Sequence, residues 1–169
     1  MIERLQRILR HRWLDDSTTR RAIPPALVEQ LARHVAESER RHTGEVRIYV
    51  EAALPLSYLW RDATPRERAI AMFGKLGVWD TEQNNGVLVY LLLAEHAIEV
   101  VADRGLSRHV SATQWQEVVH HMRDAFRAGR YEQGLIQAVD EVTALLVQHF
   151  PAAPGAANAN ELPDAPVLG

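Results

Sequence analysis

Residues 80–85, DTEQNN, place five carboxylate or amide side chains in six positions: Asp80, Glu82, Gln83, Asn84 and Asn85. Oxygen ligands on a loop suit a hard cation such as calcium or magnesium, and calcium takes roughly 6–8 of them. The loop is not an EF-hand, since its sixth position is Asn85 rather than glycine and its twelfth is Leu91 rather than glutamate. The same residues also read as a turn, in which Asn85-Gly86 supplies a positive φ and Asp80 caps local amides. A second acidic position, Asp103 in ADRGL (residues 102–106), falls at a strand end, where open α/β sheets hold their ligands. It too has a plainer reading, a strand-to-helix turn with Gly105 in a left-handed conformation. If Asp80, Glu82, Asn84, Asn85 and Asp103 do collect a cation, two activities are open. One is binding alone. The other is a metal-dependent phosphatase in which the metal polarises a phosphoryl oxygen and orients water while Arg104 steadies the phosphate.

Other chemistries find no support. The chain has no cysteine, which removes disulfides, thiolate metal sites and thiol nucleophiles. Its eight histidines give no zinc spacing, because His120 and His121 are adjacent rather than four apart. No glycine-rich phosphate loop occurs, and neither Ser57 nor Ser107 sits between glycines as a nucleophile elbow requires. A net charge of −3 does not fit a general nucleic-acid binder, so no nucleic-acid partner is expected. Trp60, Trp79 and Trp115 read as packing residues rather than a base-stacking platform.

The elements that must position the acidic loop follow from periodicity. A length of 169 residues, 47% hydrophobic and 24% charged, fits one ordinary globular domain. Pro24-Pro25 opens a helix striped by Leu27, Val28, Leu31 and Val35 and closed by His42-Thr43-Gly44. Residues 45–51 alternate as a half-buried strand, with Val46, Ile48 and Val50 inward and Arg47 and Tyr49 outward. Residues 52–64 read as loop. Thr64 caps a helix with Pro65 in its first turn and Ala69, Met72, Phe73 and Leu76 on its buried stripe. Residues 87–94 form an unbroken apolar run, which predicts a central strand covered on both faces. Residues 96–102 pair with it as a hairpin. Two helices follow, one carrying Trp115, Val118, Val119, Met122 and Phe126, the other Leu135, Val139, Val142 and Leu146. This order predicts a three-layer α/β/α sandwich around a small mixed sheet of three to four strands. Residues 151–169, rich in proline and alanine, read as a disordered tail.

In family order, the chain carries Thr43-Gly44 before its first strand, Ala69 to Gly77 with Phe73, then Asn84-Asn85-Gly86 leading into the apolar strand. Gly105-Leu106 follows the partner strand, and residues 126–135 read FRAGRYEQGL. On these pieces residues 24–149 resemble the TPM domain, found in thylakoid-lumen phosphatases, photosystem repair proteins and nematode receptor accessory proteins. The resemblance implies an α/β/α sandwich, and in some members divalent-cation binding or weak acid phosphatase activity. It also implies an accessory role beside membrane assemblies, exercised through a protein partner. The chain departs from the family pattern in two carboxylates: Ala22-Ile23-Pro24 stands where an acidic residue commonly precedes the first helix, and Ser107 where glutamate often follows Gly105-Leu106.

Outside the resemblance, residues 1–21 comprise an N-terminal helix and linker, leaving residues 22–150 as the domain. Ile2, Leu5, Ile8, Leu9 and Trp13 fall on one side of that helix, with four arginines on the rest. Such a helix either contacts anionic lipid peripherally or packs back on the domain or a partner. Charge interrupts the start of the chain, so it does not read as a secretory signal. Its longest apolar run falls well short of the roughly 20 residues that span a bilayer. The expected location is the cytoplasm, in solution or at the inner membrane surface.

Overall fold

The apolar run does lie at the centre of the sheet, with helices on both faces. The computed structural model describes residues 2–155 and 159–169; residues 156–158, part of the expected tail, lie outside them, as do the side chains of Ile2 and Glu3. Two helices, α1 (Ile2–Arg12) and α2 (Asp16–Ala22), lead into α3 (Pro25–Glu39) and strand β1 (Val46–Glu51). Then come α4 (Leu56–Trp60), α5 (Pro65–Lys75), β2 (Val87–Leu92) and, across a 3-10 turn, β3 (Ala97–Ala102). α6 (Arg104–Ser107), α7 (Ala112–Arg127), α8 (Tyr131–His149) and β4 (Val167–Leu168) complete the order.

The sheet runs β3-β2-β1-β4. β1 is parallel to β2 with Val46 opposite Val87, while β2 and β3 form the expected antiparallel hairpin with Val87 opposite Ala102. One layer of core joins Val46, Ile48, Val50, Val89 and Leu91 to α3, α7 and α8 through Leu31, Val35, Met122, Phe126, Val139 and Val142. The other joins Tyr49, Leu88, Tyr90 and Leu92 to Leu59, Ala69 and Met72 of α4 and α5. Alternate residues of β2 thus serve opposite layers, which is why all six are apolar and buried. The architecture is an α/β/α sandwich.

Three readings of the sequence change. The tail is not disordered over its described end: Val167 and Leu168 run parallel to Tyr49 and Val50 as a fourth strand. β1 is consequently buried at all six positions rather than half-buried. The linker expected before residue 22 and the loop expected at residues 52–64 hold the short helices α2 and α4, the first begun by a capping box between Asp15 and Thr18.

Candidate cation site

At one end of the sheet β1 and β2 begin and β3 ends, so the segments flanking these strands meet. The Asp103 amide donates to the Gly86 carbonyl at 2.9 Å, and the Gly105 amide to the Asn84 carbonyl at 2.8 Å. Such contacts need backbone against backbone. A Cβ on Gly86 would lie 2.0 Å from the Val78 carbonyl oxygen, and one on Gly105 would lie 2.3 Å from that of Asn84. Both glycines are therefore fixed by proximity. Neither has the positive φ expected of them; Asn84 takes the left-handed conformation of this turn instead, at φ 52°.

Around this junction three of the five expected ligands come together. The Asn84 side-chain oxygen accepts from Nε and Nη2 of Arg104 at 3.3 and 3.2 Å. Asn85 is fully buried; its amide donates to the Thr81 hydroxyl, and its Nδ2 donates to the Thr43 hydroxyl at 3.2 Å. Thr43 in turn donates to Gln83 Oε1 at 3.0 Å. Asp103 caps α6, its Oδ1 accepting from the Arg104 amide at 2.6 Å. One oxygen of each is left over: Asn85 Oδ1 and Asp103 Oδ2 are both buried without a hydrogen-bond partner. A buried acceptor left unsatisfied costs about 1–3 kcal/mol, more if charged. Each is an acceptor that a donor or a cation could satisfy.

Asp80 and Glu82 do not join this group. Both are exposed; the Asp80 amide donates to Gly77, and the Glu82 amide donates to the Glu161 carboxylate at 3.1 Å. Among the described residues no three His, Asp or Glu side chains are arranged to hold a metal. A cation here would rest on one carboxylate and one amide oxygen, oxygen donors that suit calcium or magnesium rather than zinc.

The junction is held from behind by His42. Its ring lies between the Gly44 carbonyl, 3.1 Å from Nδ1, and the Ser38 hydroxyl, 2.9 Å from Nε2. Burial pushes its pKa down to about 4. The sequence marks His42 and Thr43 only as a helix end and a family piece, and Thr81 not at all, because isolated residues of these types carry no spacing signal for a site. Arg47, which alternation places outward, is instead buried beneath the returning tail together with Glu45. The Leu162 amide donates to Glu45 Oε2 at 3.0 Å, and Arg47 donates to the Pro163 and Ala165 carbonyls.

Comparison with known proteins agrees with this fold. The NMR structure of BA42 from the psychrophilic bacterium Bizionia argentinensis superposes with a TM-score of 0.75 at 22% identity, covering 87% of this chain and 95% of that one. The solution structure of the N-terminal domain of a P. gingivalis protein gives 0.60 at 20% identity, over 76% and 81%. At these identities the likeness speaks to fold alone. No curated protein matches the sequence. The sequence profile of the TPM domain matches residues 19–145, which takes in every strand but the last and the whole junction described above. The chain is a member of the TPM domain family.

Proposed function

We propose that this TPM domain is a cation-binding module, taking calcium or magnesium at Asp103 and Asn85 and acting in the cytoplasm through a protein partner. The observation that carries the reading is the pair of buried, partnerless oxygens, Asn85 Oδ1 and Asp103 Oδ2, beside the Gly86–Asp103 backbone bond. Asn84 already holds Arg104, and Asp80 and Glu82 stand exposed, so these three would at most be outer ligands reached through water. The alternative, a weak metal-dependent phosphatase, would add Arg104 as the phosphate-steadying group. It is the weaker reading, because the junction groups a single carboxylate, and a carboxylate used as a ligand is not free to act as a general base.

Amide NMR during calcium and magnesium titration tests the proposal. Shifts concentrated in residues 81–86 and 103–106, abolished by Asp103→Asn, are the expected result. Unmoved amides at millimolar metal would sink it. Metal-dependent hydrolysis of p-nitrophenyl phosphate by the parent, lost in Arg104→Ala with metal binding intact, would instead favour the phosphatase.

A further inference from the structure

The N-terminal helix does pack back on the domain, but only through one side. Arg7 donates to Glu95 at 2.7 Å, to Asp62 at 2.9 Å and to the Ala63 carbonyl at 2.7 Å. His11 is buried between Glu95, 2.9 Å from Nε2, and the Leu54 amide, which donates to Nδ1 at 2.9 Å. Ile8 packs on the core layer of α4 and α5. These contacts fix which side of α1 faces outward.

The outward side is apolar. Leu5, Leu9 and Trp13 recur every four residues, so they share one stripe; they are 59%, 47% and 84% exposed. α4 adds Leu56 and Trp60, also four apart, at 64% and 71%. The guanidinium of Arg4 lies 5.8 Å over the Trp60 ring and ties the two helices together at this surface. Five of the seven exposed large apolar side chains among the described residues therefore lie on two adjacent helices or, for Trp13, on the turn that directly follows α1, the other two being Ile70 and Trp79. Exposed apolar residues gathered in this way mark an interaction surface, whereas scattered ones do not.

Charge indicates what covers it. Arg4, Arg10 and Arg12 are exposed on α1, and none makes an ion pair among the described residues. The inward arginine, Arg7, holds the acidic partners Glu95 and Asp62, so the outer surface of the helix keeps a net positive charge. Leucines that reach acyl chains, tryptophans at headgroup depth and unpaired arginines beside phosphates are the composition of an interfacial helix. No described helix is long and apolar enough to cross a membrane, so contact would be peripheral. We infer that α1 and α4 form a preformed docking face for an anionic lipid surface.

Co-sedimentation of the full chain tests this, with phosphatidylcholine vesicles and with vesicles carrying phosphatidylglycerol. EDTA throughout removes any contribution from the cation site. Binding is expected only to the anionic vesicles, falling as salt shortens the screening length. The triple variant Arg4→Gln/Arg10→Gln/Arg12→Gln should weaken it on the order of a hundredfold. Leu5→Glu/Leu9→Glu should abolish it, while Trp79→Ala, on the other exposed tryptophan, should leave it unchanged. All these side chains are exposed, and matching melting curves would show that the variants fold. Recovery in the supernatant under every condition overturns the proposal, as does equal binding by parent and variants. A dimer that dissociates in Leu5→Glu/Leu9→Glu overturns it as well, by assigning the face to a second copy of the chain.

Discussion

Glu51 and Arg68 form a pair taken almost wholly out of water, and pairs of that kind are judged by whether every lone pair is used. Here they are. Arg68 donates from Nε and Nη2 to the two carboxylate oxygens at 3.0 and 2.6 Å, and the hydroxyls of Tyr90 and Tyr49 donate to the same oxygens at 2.8 and 3.3 Å. This ties the ends of β1 and β2 to α5. The Glu51 hydrogen bond raises the Arg68 pKa above its ordinary value, and burial raises that of Tyr49 to about 12. Arg68→Ala would leave a buried carboxylate uncompensated, with an expected loss of about 3–5 kcal/mol in urea unfolding, whereas an exposed pair such as Arg61–Glu67 is worth under about 1 kcal/mol. Glu39 behaves differently. Burial lifts its pKa from 4.5 to about 8, and nearby Glu45 and Asp164 add to the effect. The folded state then keeps a proton that the unfolded chain releases. The associated stability is full below pH 4.5 and is lost as pH rises through 8. His42, lowered from 6.5 to about 4, has the opposite sign: its contribution is present above pH 6.5 and lost as pH falls through 4. The two oppose each other between pH 4.5 and 6.5, so stability should fall between pH 6.5 and 8. Glu39→Gln keeps an oxygen to accept from the Val46 amide, at 2.8 Å in the parent, and should flatten that fall; an unchanged pH profile would show that Glu39 does not titrate there.

At the scale of elements, the apolar run of β2 was the firmest signal because it does not depend on period. Six consecutive buried aliphatic and aromatic residues leave a strand no solvent-facing side. Leu91 is fully buried between layers, and Leu91→Asp should cost more than about 4 kcal/mol and leave no cooperative melting transition. A variant that melts like the parent would refute the central placement. The long helices were legible for a related reason: α3, α7 and α8 each run long enough for a stripe to repeat, and Ser111 opens α7 with a capping box to Gln114. α2, α4 and α6 were not. They span seven, five and four residues, two turns or fewer, so no period can establish itself. At the candidate site, chain order brought Asn84, Asn85 and Asp103 into view. It could not separate them from Asp80 and Glu82, because that distinction depends on which oxygens the fold buries without partners.

Considered whole, the molecule closes its sheet with its own tail, a long-range arrangement that composition concealed. Proline, alanine and asparagine are what a disordered segment would also contain, and β4 is too short to alternate. What holds the tail is mostly β1 and the residues that flank it. Arg47 takes the Pro163 and Ala165 carbonyls, Glu45 the Leu162 amide, and the Gly169 carbonyl accepts from Ala52 and from the Thr19 hydroxyl. The Glu161 carboxylate also accepts the Glu82 amide, so the tail braces the acidic loop near the candidate cation site. Without the tail, β1 becomes an edge strand with unpaired backbone groups, next to buried charges that have lost their partners. Deleting residues 159–169 should therefore remove about 2–4 kcal/mol and lower the melting temperature by about 5–10 °C. It should also promote concentration-dependent self-association through the freed edge, visible by light scattering. Adding a synthetic peptide of residues 159–169 in trans should reverse both effects, since the anchors on β1 remain in place. If the truncated chain instead melts like the parent and stays monomeric, β4 contributes nothing to the fold, and the burial of Glu45 and Arg47 must have another source.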